Sequence, residues 1–321
     1  MKKIAVLADY LEPSHHALID STAARCGFAV DYYPDCRVPA ELAGTYEVVH
    51  GMPKPGDLKA FTGMKWFCGS FAGVDAYLDD ALYPSPEVML SNSSGAYGVT
   101  IAEHLIMVTL MLLRHADAYL HHADAHRWGP VMPMRSIIGS TITVLGTGDI
   151  GTEFARRAKA MGAKEIRGVR RTKKAADPAF DGVYTHAELD SLLPDTDILV
   201  MALPSTADTV GILSRGRIAL LPETAYVVNV GRGTAIDQPA LVEALNAGKL
   251  AGAALDVFEK EPIPAGDPVW DAKNLLITPH ISGQMSLGYT RDKNVALFCE
   301  DLENYAAGRP LKRYVDRKIG Y

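Results

Sequence analysis

The stretch Ser140-Thr-Ile-Thr-Val-Leu-Gly-Thr-Gly-Asp-Ile-Gly151 decides the fold of this chain. Ile142, Val144 and Leu145 read as a short buried strand, the glycines as a turn, and Asp149 as the start of a helix. Gly146, Gly148 and Gly151 fit the pattern G-x-G-x-x-G. The first glycine permits a tight turn, the second lets a pyrophosphate approach the backbone, and the third lets the helix pack on the strand. The first N–H groups of that helix point at the phosphates, where the helix dipole favours negative charge. Spacing of this kind also occurs in ordinary turns, so the context has to support it. A helical run from Phe154 to Met161 follows, and Ile166-Arg-Gly-Val169 offers the next strand. The stretch is therefore expected to be a dinucleotide-binding strand, turn and helix.

Downstream, strands are expected at Asp197-Ile-Leu-Val-Met-Ala202, Ala225-Tyr-Val-Val-Asn-Val230, Gly252-Ala-Ala-Leu-Asp-Val257 and Leu275-Leu-Ile-Thr278. Helical patterns separate them, among them Pro239 to Gly248, whose terminal glycine suits a helix stop. Upstream, Lys3 to Ala8 reads as a strand and His15 to Cys26 as a helix. Apolar runs recur at Ala29 to Tyr32, Tyr46 to His50, Lys65 to Cys68 and Val88 to Ser91. Alternation of this kind implies parallel sheets with helices on both faces. Thr100 to Arg114 is a helix apolar on most sides, expected to be buried against a neighbouring domain or subunit. A last helix, Asn294 to Ala307, is expected to return and complete the first unit. The fold class is α/β, with two doubly wound parallel-sheet domains. Residues 1–98 with 287–321 form the first, and 99–286 form the inserted dinucleotide-binding domain.

The chain has 321 residues, enough for two domains, and a net charge of −6, which argues against a general nucleic-acid binder. Cys26, Cys36, Cys68 and Cys299 are scattered without a C-x-x-C pair, as expected of thiols in a reducing cytoplasm. The apolar run after Lys2-Lys3 is cut by Asp9, so it reads as a strand and not as a signal peptide. No apolar stretch is long enough for a bilayer span. His121, His122, Asp124 and His126 do not have the spacing of a structural zinc site, so no metal is expected.

In a fold of this type an acidic residue about 20 positions beyond the glycines would select NAD through the ribose 2′-OH. Here the sequence is Gly168-Val-Arg-Arg-Thr-Lys-Lys174, with Arg170 and Arg171 where the carboxylate would stand. A guanidinium matches a 2′-phosphate by paired, charge-assisted bonds. NADP(H) is the expected cofactor, with NAD(H) as the second choice.

Other segments stand where chemistry is expected, beyond strand ends. Gly69 to Asp75 is a small-residue loop that could offer N–H groups to an anion or simply be a turn. Asn92-Ser-Ser-Gly-Ala-Tyr97 closes the first unit. Val228-Asn-Val-Gly-Arg-Gly233 carries Arg232, suited to a carboxylate. Leu255-Asp-Val-Phe-Glu-Lys-Glu-Pro262 carries Asp256 and Glu261, and Thr278-Pro-His-Ile-Ser-Gly283 carries His280, suited to proton exchange. Taken singly, each has a structural reading: a satisfied histidine, a surface charge, a cap.

The glycine turn, the loop Ser70 to Asp75, the helix segment Ala102-Glu103-His104, Asn229 to Gly233, Leu255 to Pro262 and Thr278 to Gly283 together closely resemble the D-isomer-specific 2-hydroxyacid dehydrogenase family. The resemblance covers nearly the whole chain. It implies a flavodoxin-like substrate domain split around a Rossmann cofactor domain, and a catalytic set of Arg232, Glu261 and His280. It implies cofactor contacts at Gly146, Gly148, Asp149, Ile150, Gly151, Arg170, Arg171, Pro204, Thr209, Val230, Gly231, Asp256 and Gly283. Substrate contacts are implied at Phe71, Ala72, Gly73, Arg232 and His280. Arg170 in place of the NAD-selecting acid looks like the NADPH-using glyoxylate and hydroxypyruvate reductases. The implied activity is reduction of a small 2-oxo acid to the D-2-hydroxy acid by a cytoplasmic homodimer. The alternatives are a bulkier or phosphorylated 2-hydroxy acid, or a dinucleotide-sensing corepressor that binds protein partners.

Overall fold

The structure is a computed structural model that describes residues 1–173, 175 and 177–321. It divides into two compact units, Met1–Tyr97 with Gln284–Tyr321, and Gly98–Gly283. The breaks fall before Gly98 and after Gly283, where the sequence reading set them at 98/99 and 286/287.

The first unit holds five parallel strands: β1 (Lys2–Leu7), β2 (Phe28–Tyr32), β3 (Val48–Gly51), β4 (Trp66–Gly69) and β5 (Met89–Ser91), in the order β2-β1-β3-β4-β5. Side chains alternate across a strand, so β1 sends Ile4 and Val6 to one face and Ala5 and Leu7 to the other. Both faces are covered, which explains why the strands read as continuous apolar runs. The helix Gly288–Ala306 starts six residues before its expected beginning at Asn294. Its Val295, Phe298, Cys299 and Leu302 pack with Ile19 and Ala23 of the helix Pro13–Arg25 on the Ile4 face. Each large apolar side chain so buried contributes about 1.5–3 kcal/mol, which is what ties the C-terminal segment to the first sheet.

The second unit holds β6 (Thr141–Leu145), β7 (Glu165–Arg170), β8 (Gly182–Thr185), β9 (Ile198–Met201), β10 (Tyr226–Asn229), β11 (Gly252–Leu255) and β12 (Leu275–Ile277). Their order, β12-β11-β10-β9-β6-β7-β8, reverses direction between β6 and β9. In an open parallel sheet a ligand crevice forms beyond the strand ends at such a reversal, and β6 is the strand that feeds the glycine turn. β8 was not anticipated: it is an edge strand, half-buried along its length, and so lacks an apolar run. The helix Gly98–Leu113 ends where His115 takes a φ of +53°, and a second helix, Ala116–Asp124, leaves at 70° to it. His121 and His122 lie on that second helix and His126 just beyond it. No single helix among the described residues is long and apolar enough to cross a membrane. No group of three or more His, Cys, Asp or Glu among them is arranged to hold a metal ion.

Candidate active site

The glycine turn is shaped by close approach. Gly146 has a φ of +103°, and a Cβ there would stand 2.6 Å from the Ala202 carbonyl oxygen. A Cβ on Gly151 would stand 1.9 Å from the Gly146 oxygen, so only glycine lets the helix Asp149–Ala160 begin this close to β6. Gly148 differs: nothing lies within 4 Å of the corresponding position. Gly148 is exposed and immediately precedes the helix, so a phosphate can approach the backbone there. Ile150 sits in the first turn of this helix. The Asp149 carboxylate is turned to the start of the helix Gly98–Leu113, where a Cβ on Gly98 would lie 2.4 Å from its Oδ1.

Arg170 is the last residue of β7 and pairs in register with Thr185, the last of β8. Arg170 is half-buried, and Arg171 and Thr172 are exposed. Lys173 lies 3.6 Å from Glu188, whose other oxygen accepts the Thr185 N–H and hydroxyl at 2.8 Å. Lys174, the end of the basic stretch, lies outside the described residues. Two neighbours escaped the sequence reading. Burial holds the His186 imidazole below its usual value, opposed by Asp208 and helped by Arg217 and Arg171. Arg217 donates to Asp190 at 2.6 Å and to the His186 carbonyl at 3.4 Å. They come from distant segments, and no local motif marks them.

The three chemically promising loops leave neighbouring strands at one level, since Asn229 pairs with Leu255 and Leu255 with Ile277. After β10, the fully buried Asn229 accepts the Gly231 N–H and donates to the Arg232 carbonyl, both at 3.0 Å. This amide closes the turn that presents Arg232. The Arg232 guanidinium donates to the Gly231 carbonyl at 2.7 Å. A Cβ on Gly233 would stand 1.9 Å from the Phe258 carbonyl carbon, so glycine is needed where this turn meets the segment leading to Glu261. Phe258 N–H donates to Glu261 Oε1 at 2.8 Å, and Glu261 Oε2 lies 2.7 Å from His280 Nδ1. A carboxylate only accepts, so this contact makes Nδ1 the protonated nitrogen.

His280 takes a φ of +53°, a conformation that costs energy for a residue with a Cβ. Asp256 holds it there. Its carboxylate accepts the Thr278 hydroxyl at 2.6 Å and the Ile281 and Ser282 N–H groups at 2.9 and 3.0 Å, and its carbonyl accepts the His280 N–H at 2.9 Å. Burial pushes the Asp256 carboxyl up, but bonds from Ser282, Thr278 and the loop backbone outweigh it and keep the group below the usual carboxylate range. His104 Nε2 approaches Thr278 Oγ1 at 3.3 Å. Burial keeps that imidazole below its usual value against the pull of Asp256.

Of the expected cofactor contacts, Asp256 and Thr209 are buried and bonded within the protein. Asp256 is 2 % exposed and spends its oxygens on the 278–282 loop. Thr209 is 4 % exposed; its hydroxyl donates to the Pro204 carbonyl at 2.6 Å and accepts the Thr206 N–H at 2.8 Å, closing the turn after β9. Pro204 is exposed, Val230 and Gly231 are buried, and Gly283 is half-buried.

The loop after β4 belongs to the first unit. Ser70 is fully buried, Phe71 and Ala72 are half-buried and Gly73 is exposed. The Phe71 ring stacks on Tyr77 at 4.6 Å between centroids. The Phe71, Ala72 and Gly73 N–H groups have no backbone acceptor among the described residues, while the Phe71 carbonyl accepts from Ser93 N–H and the Ala72 carbonyl from Asn92 Nδ2.

Comparison with known proteins follows the same outline. The family model described as D-isomer specific 2-hydroxyacid dehydrogenase, NAD binding domain, matches residues 106–282. A glyoxylate/hydroxypyruvate reductase A from Klebsiella pneumoniae (strain 342) is 32% identical over 257 residues, covering 78% of this chain and 80% of that protein. A D-isomer specific 2-hydroxyacid dehydrogenase family protein from Aeromonas salmonicida subsp. salmonicida A449 is similar in structure, with 30% identity, a TM-score of 0.83 and coverage of 98% and 99% of the two chains. An NADPH-dependent glyoxylate/hydroxypyruvate reductase from Sinorhizobium meliloti, solved with NADP and sulfate, is 26% identical with a TM-score of 0.82 over 100% of both chains.

Proposed function

The chain belongs to the D-isomer-specific 2-hydroxyacid dehydrogenase family and is an NAD(P)-dependent oxidoreductase, and we propose that it uses NADPH to reduce a small 2-oxo acid of the glyoxylate or hydroxypyruvate kind to the D-2-hydroxy acid. The observation that carries this reading is the Glu261–His280 pair, 2.7 Å apart, on loops that leave strands next to the one presenting Arg232.

In this reading bound NADPH supplies the hydride that the keto carbon receives. The exposed backbone at Gly148 and the N–H groups that open the helix Asp149–Ala160 would hold its pyrophosphate. Arg170 and Arg171 take the 2′-phosphate. Arg232 binds the acid's carboxylate and draws charge from the keto oxygen. His280, protonated at Nδ1 toward Glu261, delivers a proton from Nε2 to that oxygen as it becomes an alkoxide. Glu261 fixes the ring through its contact with Nδ1. In the first unit, the Ala72 and Gly73 N–H groups are an anion-binding loop suited to a carboxylate.

The reading extends to assembly and place. Met107, Leu120, Trp128, Val131, Met134 and Ile138 are exposed apolar residues of the second unit, which favours a homodimer through that unit; sedimentation of the purified protein tests it. Four free cysteines fit a reducing cytoplasm.

The activity is tested by assaying purified protein with glyoxylate, hydroxypyruvate, pyruvate, phenylpyruvate and 2-ketoisocaproate, each with NADPH and NADH. The small acids with NADPH are expected to give the highest kcat/KM. Binding of NADPH without reduction of any 2-oxo acid would favour a sensor.

A further inference from the structure

The anion-binding loop of the first unit rests on polar side chains that neither the family motifs nor the proposed chemistry uses. A peptide plane points its C=O and the next residue's N–H in opposite directions. Whatever draws a carbonyl inward therefore turns the following N–H outward. Asn92 Nδ2 donates to the Ala72 carbonyl at 2.7 Å, which sets the Gly73 N–H. Ser93 N–H donates to the Phe71 carbonyl at 2.9 Å, which sets the Ala72 N–H. The Ser70 carbonyl accepts from the Tyr97 hydroxyl and, at 3.2 Å, from Asn294 Nδ2, which sets the Phe71 N–H.

Asn294 is the hub. It is fully buried on the helix Gly288–Ala306. Its Nδ2 also donates to Ser93 Oγ at 2.7 Å, and Ser93 Oγ donates in turn to the Gly69 carbonyl at 3.0 Å. The Tyr10 hydroxyl bridges Asn294 Oδ1 at 2.9 Å and Ser70 Oγ at 2.8 Å. Burial holds the Tyr10 and Tyr97 phenols well above their usual values, so both stay neutral and keep their protons to donate. Apolar residues would fill this space at lower desolvation cost. A network with each member satisfied instead specifies one arrangement of the loop above it.

We propose that Asn92 and Asn294, supported by Tyr10 and Tyr97, are positioning residues that hold the 71–73 N–H groups outward for the substrate's carboxylate. The proposal rests on the reading of this protein as a 2-oxo acid reductase. None of these residues touches the substrate; they act through the backbone of the loop.

The test is steady-state kinetics of Asn92→Ala, Asn294→Leu and Tyr10→Phe with NADPH, using glyoxylate and its methyl ester, which lacks the carboxylate charge. Each variant is expected to raise KM for glyoxylate by about tenfold, the loss from one misplaced bond to a charged group. The ester's KM, the KM for NADPH and kcat are expected to stay within about threefold of wild type, a smaller change than that bond accounts for. Tyr10→Phe keeps its ring in place and so reports even if the asparagine variants do not fold. Unchanged KM for glyoxylate, or equal losses for acid and ester, overturns the proposal while leaving the reductase reading intact. A wild-type protein that reduces no 2-oxo acid overturns that reading and the positioning role with it.

Discussion

The glycine turn after β6 and the His280 corner beyond β10, β11 and β12 both lie past the carboxyl ends of strands in one parallel sheet, yet they are held differently. The turn is held by nearness: Gly146 and Gly151 bring backbone against backbone, and Gly148 leaves its backbone open to solvent. The corner uses nearness at Gly231 and Gly233 and otherwise depends on two buried polar side chains, Asn229 and Asp256. A phosphate site needs space and N–H groups, which backbone alone supplies. A proton donor needs a fixed ring with a fixed tautomer, and a left-handed residue such as His280 keeps its place only when its surroundings over-determine it. The difference says where substitutions should damage folding and where they should damage only binding.

Gly233→Ala is the sharpest way to break the corner. Its Cβ would meet the Phe258 carbonyl carbon at 1.9 Å, so unfolding free energy in denaturant should fall by about 3 kcal/mol or more. An unchanged midpoint would mean that the Arg232 turn and the Phe258 segment are not in contact. Acid should expose a group outside both regions. His50 is fully buried, stacked 4.0 Å from Phe298, and burial pushes its imidazole down to about 4 despite a bond to the Cys68 carbonyl. Its folded value lies below the unfolded one, so the unfolded chain binds more protons and stability falls as pH drops from about 6.5 toward 4. The loss should approach about 3 kcal/mol, and His50→Leu should flatten that limb of a pH-stability curve. Asp256→Asn places an amide where the 278–282 loop presents donors. A loss of about 2 kcal/mol is expected, and an unperturbed melting temperature would contradict the clamp. Smallest is Arg170→Ala, which should raise KM for NADPH by about tenfold and leave NADH unchanged; equal effects on both cofactors would remove Arg170 from the 2′-phosphate site.

The same contrast explains what could be read from the chain alone. Gly146, Gly148 and Gly151 were legible because their roles are local and their spacing is short. The segments bearing Arg232, Glu261 and His280 were legible through family motifs and their place after apolar strands. What stayed hidden depends on distant partners or weak local pattern. Asn294 reaches Ser70 across 224 positions, and no periodicity announces that bond. The bonds that Asp256 makes emerge only when three donors from the 278–282 loop converge on it. Edge strand β8 has no apolar run, and the helix Ala116–Asp124 was masked by its histidines.

One preparation of His280→Ala tests the central claim most directly, because it asks whether the two regions are separable. Its Kd for NADPH and its rate of 2-oxo acid reduction are measured side by side with wild type. The account predicts an NADPH Kd within about twofold of wild type, as expected for a side chain outside the phosphate site, with kcat lower by about 10²–10⁴ through loss of general acid catalysis. Wild-type turnover in that variant, or an NADPH affinity weakened in step with turnover, would contradict it.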